Sequence, residues 1–298
     1  DGPYNEDPAI AALSPWQKRI WYKRSGTGKH LTSSNIGDKE RKEAQSLWQR
    51  VCREAIAGDY AVVILDELNP VMALGLIDPQ EVLKVLAKRP QGMEIVVTGT
   101  NPPSNFLQAA DLHSLFEQEK GKRSIKGVAI HTGAGKGKST ACMGQALCEI
   151  GRGNQVALIR WLKGGYGYSE DAAISVLESN YPSLFAHYRC GREGNIVWMG
   201  SQVHEHYAEA EKGWQFLQEA IQSDCRQIIL DEIVPAMELG LLDEDLLTTF
   251  LLEEKPSRTN FLLAGRASKW SPYFDLAHEI KVTLPQRHYI ATKRGIDF

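Results

Sequence analysis

The chain has 298 residues, 43% hydrophobic and 24% charged, which suits one large soluble domain or two ordinary ones. A net charge of −3 with a pI near 6.3 gives no basic footprint for nucleic acid, and no apolar run is long enough to span a membrane. Five cysteines, an odd number without a C-x-x-C pair, argue against both a zinc ribbon and a disulfide framework, so the expected compartment is the cytoplasm.

In chain order the first motif-like stretch is Gly26-Thr27-Gly28-Lys29-His30. No apolar strand precedes it, and His30 stands where a phosphate loop carries Ser or Thr, so a turn is expected. Next comes a repeat. Val62–Asp78 and Gln227–Asp243 share ten of 17 aligned residues, among them Asp66/Asp231, Glu67/Glu232, Pro70/Pro235 and Gly75/Gly240. The match extends upstream through Trp48/Trp214 and downstream through Gly99/Gly265 to Asp111/Asp275. Two tandem related units are therefore expected, residues 1–122 and 123–298, joined at the short polar stretch Gly121–Ser124. The first unit is incomplete, because the phosphate-loop segment of the second has no counterpart in it. Asp66-Glu67 consequently reads as structural.

The second unit opens on an apolar strand, Val128–His131. It runs into Thr132-Gly133-Ala134-Gly135-Lys136-Gly137-Lys138-Ser139-Thr140 and then a helix over Lys138–Ile150. A glycine-rich turn between strand and helix lets backbone N–H groups surround phosphate oxygens, and the helix N-terminus adds its dipole. Lys138 is expected on the outer phosphates, Ser139 on Mg²⁺, and Lys136 as a second cation. Strands over Gln155–Trp161, Ile228–Leu230 and Phe261–Leu263 alternate with helices over Glu205–Ile221 and Glu244–Leu252. This pattern predicts an α/β fold of the P-loop, RecA/Rossmann-like kind: a mostly parallel sheet with helices on both faces. The loop at Thr132, the acids Asp231-Glu232 and Arg266 then share the carboxyl edge of the strands, where such sheets bind ligands. Asp231 and Glu232 are candidate Mg²⁺ ligands, with a helix cap as the competing reading for Asp231. His204-x-His206 points to two faces of a helix and is read as surface. Trp214 is expected in the core. Trp161 and Trp198 could face either a flat ligand or the core.

Residues 124–298 resemble the BtuR/CobO/CobA-type corrinoid adenosyltransferases. The likeness rests on the T-G-x-G-K-G-K-S loop, Trp161-Leu162-Lys163-Gly164, Ile229-Leu230-Asp231-Glu232, Leu263-Ala264-Gly265-Arg266 and the closing Gly295-Ile296-Asp297-Phe298. The first unit resembles the later half of the same family. The resemblance implies transfer of the 5′-deoxyadenosyl group of ATP to a Co(I) corrinoid with release of triphosphate, as a step of cobalamin biosynthesis. It implies Mg²⁺ as cofactor, Lys163 and Arg266 as further phosphate or ligand contacts, and Lys138 and Trp198 as the residues closest to the chemistry. The family's Phe-x-Trp-Glu-like segment reads Ile196-Val197-Trp198-Met199 here. The alternative is a nucleotide-binding regulatory or assembly module that has lost the transfer. Expected partners are ATP and a corrinoid, with neither nucleic acid nor membrane. The two units would form an internal pseudo-dimer, which could oligomerise further.

Overall fold

The computed structural model describes residues 6–13, 20–26, 31–120, 125–133, 137–165, 167–192, 203–266 and 278–283. In the first compact unit, described from Ile20 to Asp111, helix α2 (Asp38–Arg50) runs on into a π-helical turn over Val51–Ile56. Strand β1 (Val62–Leu65), helices α3 (Leu68–Ala73) and α4 (Pro79–Leu86), strand β2 (Glu94–Val97) and helix α5 (Ser104–Ala109) follow. β1 and β2 pair in parallel. One face packs Val63 and Leu65 with Trp48, Met72, Val82 and Phe106. On the other face Val62 and Ile64 are exposed, Ile64 by 64%.

The second unit takes in helix α1 (Glu6–Ala12) and the described chain from Leu112 onward. Its strands are β3 (Leu115–Lys120), β4 (Val128–Thr132), β5 (Val156–Arg160), β6 (Phe185–Arg189), β7 (Gln227–Asp231), β8 (Asn260–Ala264) and β9 (His278–Thr283). Its helices are α6 (Lys138–Gly151), α7 (Asp171–Asn180), α8 (Val203–Gln222), α9 (Ile233–Glu238) and α10 (Glu244–Thr249), the last continued by a π-helical turn over Phe250–Glu254. The sheet order is β3-β9-β4-β8-β7-β5-β6, all parallel except β3, which is antiparallel to β9.

Every residue of β5 and β7 is buried, as strands with helices on both faces require. Along β7 the side chains alternate. Ile228 and Leu230 pack with Leu217, Val234, Leu247 and Phe261, whereas Ile229 packs with Cys142, Ala146, Ile174 and Leu177 of α6 and α7. The expected α/β architecture with a mostly parallel sheet is therefore present. Ile64, the repeat counterpart of Ile229, is bare because the described first unit has no equivalent of α6 and α7.

The repeat is visible in backbone detail. Glu67 and Glu232 both follow a strand in the left-handed region, at φ 57° and 60°. Asp78 and Asp243 each cap the next helix, accepting from Gln80 N and Asp245 N at 2.9 Å. A Cβ on Gly99 or Gly265 would stand 2.4 or 2.2 Å from Cδ of Pro70 or Pro235, so the end of β2 or β8 needs a glycine where it meets α3 or α9, the helix that follows the neighbouring strand.

Packing divides the chain differently from the repeat boundary drawn at 122/123. β3 is hydrogen-bonded to β9, and α1 lies on the end of α6, where a Cβ on Gly151 would be 2.4 Å from Ala9 N. Backbone pairing and helix contact thus place both segments in the second unit. The joint at 121–124 and the loop residues Thr27–His30 lie outside the described residues.

Two elements went unpredicted between Trp161 and Glu205: α7 and β6. The strand over Phe261–Leu263 is one residue longer at each end, and the helix expected over Glu244–Leu252 changes to a π-helical turn at Phe250.

Candidate functional site

The site is built on the ends of four neighbouring strands, β4, β8, β7 and β5, and on one helix start. β4 ends at Thr132, which is buried, and Gly133 and Gly137 take φ of 107° and 108°, a region closed to most side chains. Gly137 caps α6, so Lys138, Ser139 and Thr140 form its first turn. The first backbone N–H groups of such a helix lack intrahelical acceptors, which suits an anion. Ala134, Gly135 and Lys136 lie outside the described residues.

Lys138 Nζ donates to Gly133 O at 3.0 Å, which holds the ammonium over the loop. Ser139 Oγ donates to Asp231 Oδ1 at 2.8 Å. Asp231, 2% exposed, ends β7, and its other oxygen lies 3.0 Å from Lys163 Nζ and 3.7 Å from Arg160 Nε. Lys163 Nζ also lies 3.3 Å from Ser139 Oγ and from Glu170 Oε1. The sequence-predicted residues Lys138, Ser139, Lys163 and Asp231 are thus brought together. Arg266 follows β8 directly and is exposed, and Thr140 is exposed on the helix turn. Trp161 is fully buried, its Nε1 donating to Ala210 O, so it is a core residue. Trp214 packs against the same core. Trp198 and its segment lie outside the described residues.

Sequence reasoning missed the support behind Lys163. Arg160, 1% exposed, pairs with Glu170 at 2.5 Å and with Asp171 at 2.8 Å; Arg189 reaches Asp171 at 2.7 Å. The Tyr168 ring lies 5.0 Å from the Arg160 guanidinium and 5.1 Å from Lys163 Nζ. Burial raises the Asp171 carboxyl, but the Arg160 hydrogen bond and charge outweigh it and hold the group below its usual range. Burial likewise pulls the Lys163 ammonium down; the Asp231 charge outweighs it, and the lysine stays charged. The acidic pair Glu170-Asp171 just ahead of the apolar run of α7 was the available signal, since acids favour a helix start.

Glu232 occupies the strained left-handed position after β7. Burial, and then the neighbouring Asp231 charge, push its carboxyl up from 4.5 to about 7. Because the folded value lies above the unfolded one, the folded chain holds an extra proton between about pH 4.5 and 7, and stability falls as pH rises through that window. In protein free of nucleotide and Mg²⁺, Glu232→Gln should flatten that stretch of the pH–stability curve. A slope as steep in the variant as in the parent would remove Glu232 as its source.

Among the described residues no group of three or more His, Cys, Asp or Glu side chains could by itself cage a metal ion. Mg²⁺ needs less: a hydroxyl and one or two carboxylates, with phosphate and water completing the octahedron. Ser139 and Asp231, already in contact, fit that requirement, and Glu232 stands next in the chain. No helix among the described residues is long and apolar enough to cross a membrane. All five cysteines are free thiols.

Comparison with known proteins bears on what this geometry serves. The chain is 42% identical over 312 residues to the uncharacterised protein all2391 of Nostoc sp., covering 99% of this chain and 82% of that one. It is 31% identical over 175 residues to a corrinoid adenosyltransferase of Sinorhizobium sp., covering 57% of this chain and 79% of the relative. It is 26% identical over 149 residues to the corrinoid adenosyltransferase of Pseudomonas aeruginosa, covering 49% and 70%. The family described as ATP:corrinoid adenosyltransferase BtuR/CobO/CobP matches twice, at residues 2–129 and 124–298. Two tandem matches over nearly the whole length agree with the repeat, and the chain belongs to this transferase family.

Proposed function

We propose that the second unit binds ATP with Mg²⁺ at residues 132–140 and transfers its 5′-deoxyadenosyl group to the Co(I) of a corrinoid, in the cytoplasm. The reading is carried by the convergence of Lys138, Ser139, Lys163 and Asp231 at the end of β4, within a chain of this family. In this chemistry Co(I) is the nucleophile. A Co–C bond forms at the 5′ carbon as the C5′–O bond breaks, and triphosphate leaves with the electron pair.

No protein base or nucleophile is required, so the chain's task is positioning and charge. Thr132, Gly133, Ala134, Gly135, Lys136 and Gly137 would wrap the phosphates, with Lys136 and Lys138 offsetting charge that grows on the leaving group. Ser139 and Asp231, with Glu232, would hold Mg²⁺, which neutralises phosphate charge when bound. Lys163 now satisfies the same oxygens. Once they are engaged elsewhere, its ammonium can turn to the phosphates, while Arg160 keeps Glu170 in place. Arg266, on the adjacent strand end, is assigned to ligand contact. Trp198 is assigned to the corrinoid side, on the resemblance alone.

The tandem repeat supports reading the chain as an internal pseudo-dimer with one competent site and one degenerate partner. The first unit keeps the acid pair but ties Asp66 to Thr98 Oγ1, which donates at 2.5 Å.

The test is anaerobic: protein, ATP, Mg²⁺ and chemically reduced cob(I)alamin, followed by absorbance for a light-sensitive alkyl-cobalt product. Product that disappears in Lys138→Ala is the expected result. ATP binding without product would replace the transferase by a nucleotide-binding regulatory or assembly module.

A further inference from the structure

Phe116 is the second residue of β3 and is 47% exposed, a large apolar ring left in solvent. In the strand register it pairs with Val282 of β9, and Lys281 pairs with Thr132 of β4. The ring is therefore level with the first residue beyond β4, on the carboxyl edge of the sheet. Its Cζ is 3.8 Å from the place a Cβ on Gly137 would occupy, and it is the one atom of the described residues within 4 Å of that point apart from the glycine's own chain surroundings. The ring thus borders the mouth of the phosphate loop.

A phenyl ring offers no hydrogen-bond donor, so it cannot hold phosphate. What it can meet is the flat part of a ligand whose phosphates sit in the loop. We propose that Phe116 stacks on the purine base of the bound nucleotide, making it the residue that distinguishes a nucleoside triphosphate from bare polyphosphate. The inference rests on the nucleotide reading above. It differs in kind from the residues of the phosphate loop, because Phe116 would contribute nothing to phosphate binding.

Calorimetry on the full chain with Mg²⁺ separates the possibilities, using ATP and inorganic tripolyphosphate as probes. Stacking of a base on an aromatic ring predicts ATP affinity about 5- to 100-fold weaker in Phe116→Ala. Tripolyphosphate affinity should stay unchanged, and Phe116→Trp should retain ATP binding. Unchanged ATP affinity in Phe116→Ala overturns the proposal. So does an equal loss for both probes, which would make the ring a prop for the loop. A raised KM for cob(I)alamin with intact ATP binding would overturn it too, assigning the ring to the corrinoid. A parent protein that binds neither probe would sink the nucleotide reading itself. A parent that binds tripolyphosphate no more weakly than ATP would sink only the role of Phe116.

Discussion

Asp231→Ala should destabilise the second unit by about 3 kcal/mol, while the repeat-equivalent Asp66→Ala costs the first unit only about 1 kcal/mol. The two aspartates end corresponding strands, β7 and β1, but their surroundings differ. Asp231 is buried against two cations, Lys163 and Arg160, and accepts from Ser139. Removing one member of a buried charge cluster costs about 3–5 kcal/mol, because the remaining charges stay desolvated. The low end applies here, since Glu170 still faces both cations and Asp171 still faces Arg160. Asp66 is exposed and accepts the Thr98 hydroxyl, an interaction in the range of an ordinary hydrogen bond. Urea unfolding of the full-length variants measures both. Equal losses at the two positions would contradict this account of Asp231.

Lys138→Ala should weaken ATP binding roughly 10- to 100-fold, the loss of one charge-assisted phosphate contact of about 1.5–3 kcal/mol. The effect on folding should be small, because the side chain is only half-buried and its bond to Gly133 O lies in a partly exposed loop. Tripolyphosphate should suffer as much as ATP, unlike the pattern expected for Phe116→Ala. Calorimetry decides it, and unchanged affinity would move the phosphate site away from this loop.

Much of the second unit could be read from sequence because its strands are buried on both faces. Val128–Thr132, Val156–Arg160, Gln227–Asp231 and Asn260–Ala264 appear as apolar runs whose ends carry the chemistry. The loop was legible as glycines and lysines between a strand and a helix, and the repeat showed itself through Pro70/Pro235 and Gly99/Gly265, whose close contact now explains it. The network behind Lys163 was not legible. Arg160 closes a hydrophobic strand, and its partners Glu170 and Asp171 stand ten and eleven residues later, beyond a turn whose path only the fold sets. Nor did sequence mark Phe116, since its pairing with Val282 joins residues 166 positions apart (282 − 116), and no local pattern announces such a register.

That same pairing has a practical side. β9 is flanked by β4 on one side and by β3 on the other, along six residue pairs from Leu115↔Thr283 to Lys120↔His278. A fragment cut to begin at β4 would look like a self-sufficient family member, yet it would bare the outer backbone donors and acceptors of β9. An unprotected strand of that length is a template for sticking to further copies of itself. Solubility of the second unit therefore depends on a short piece of chain that precedes β4.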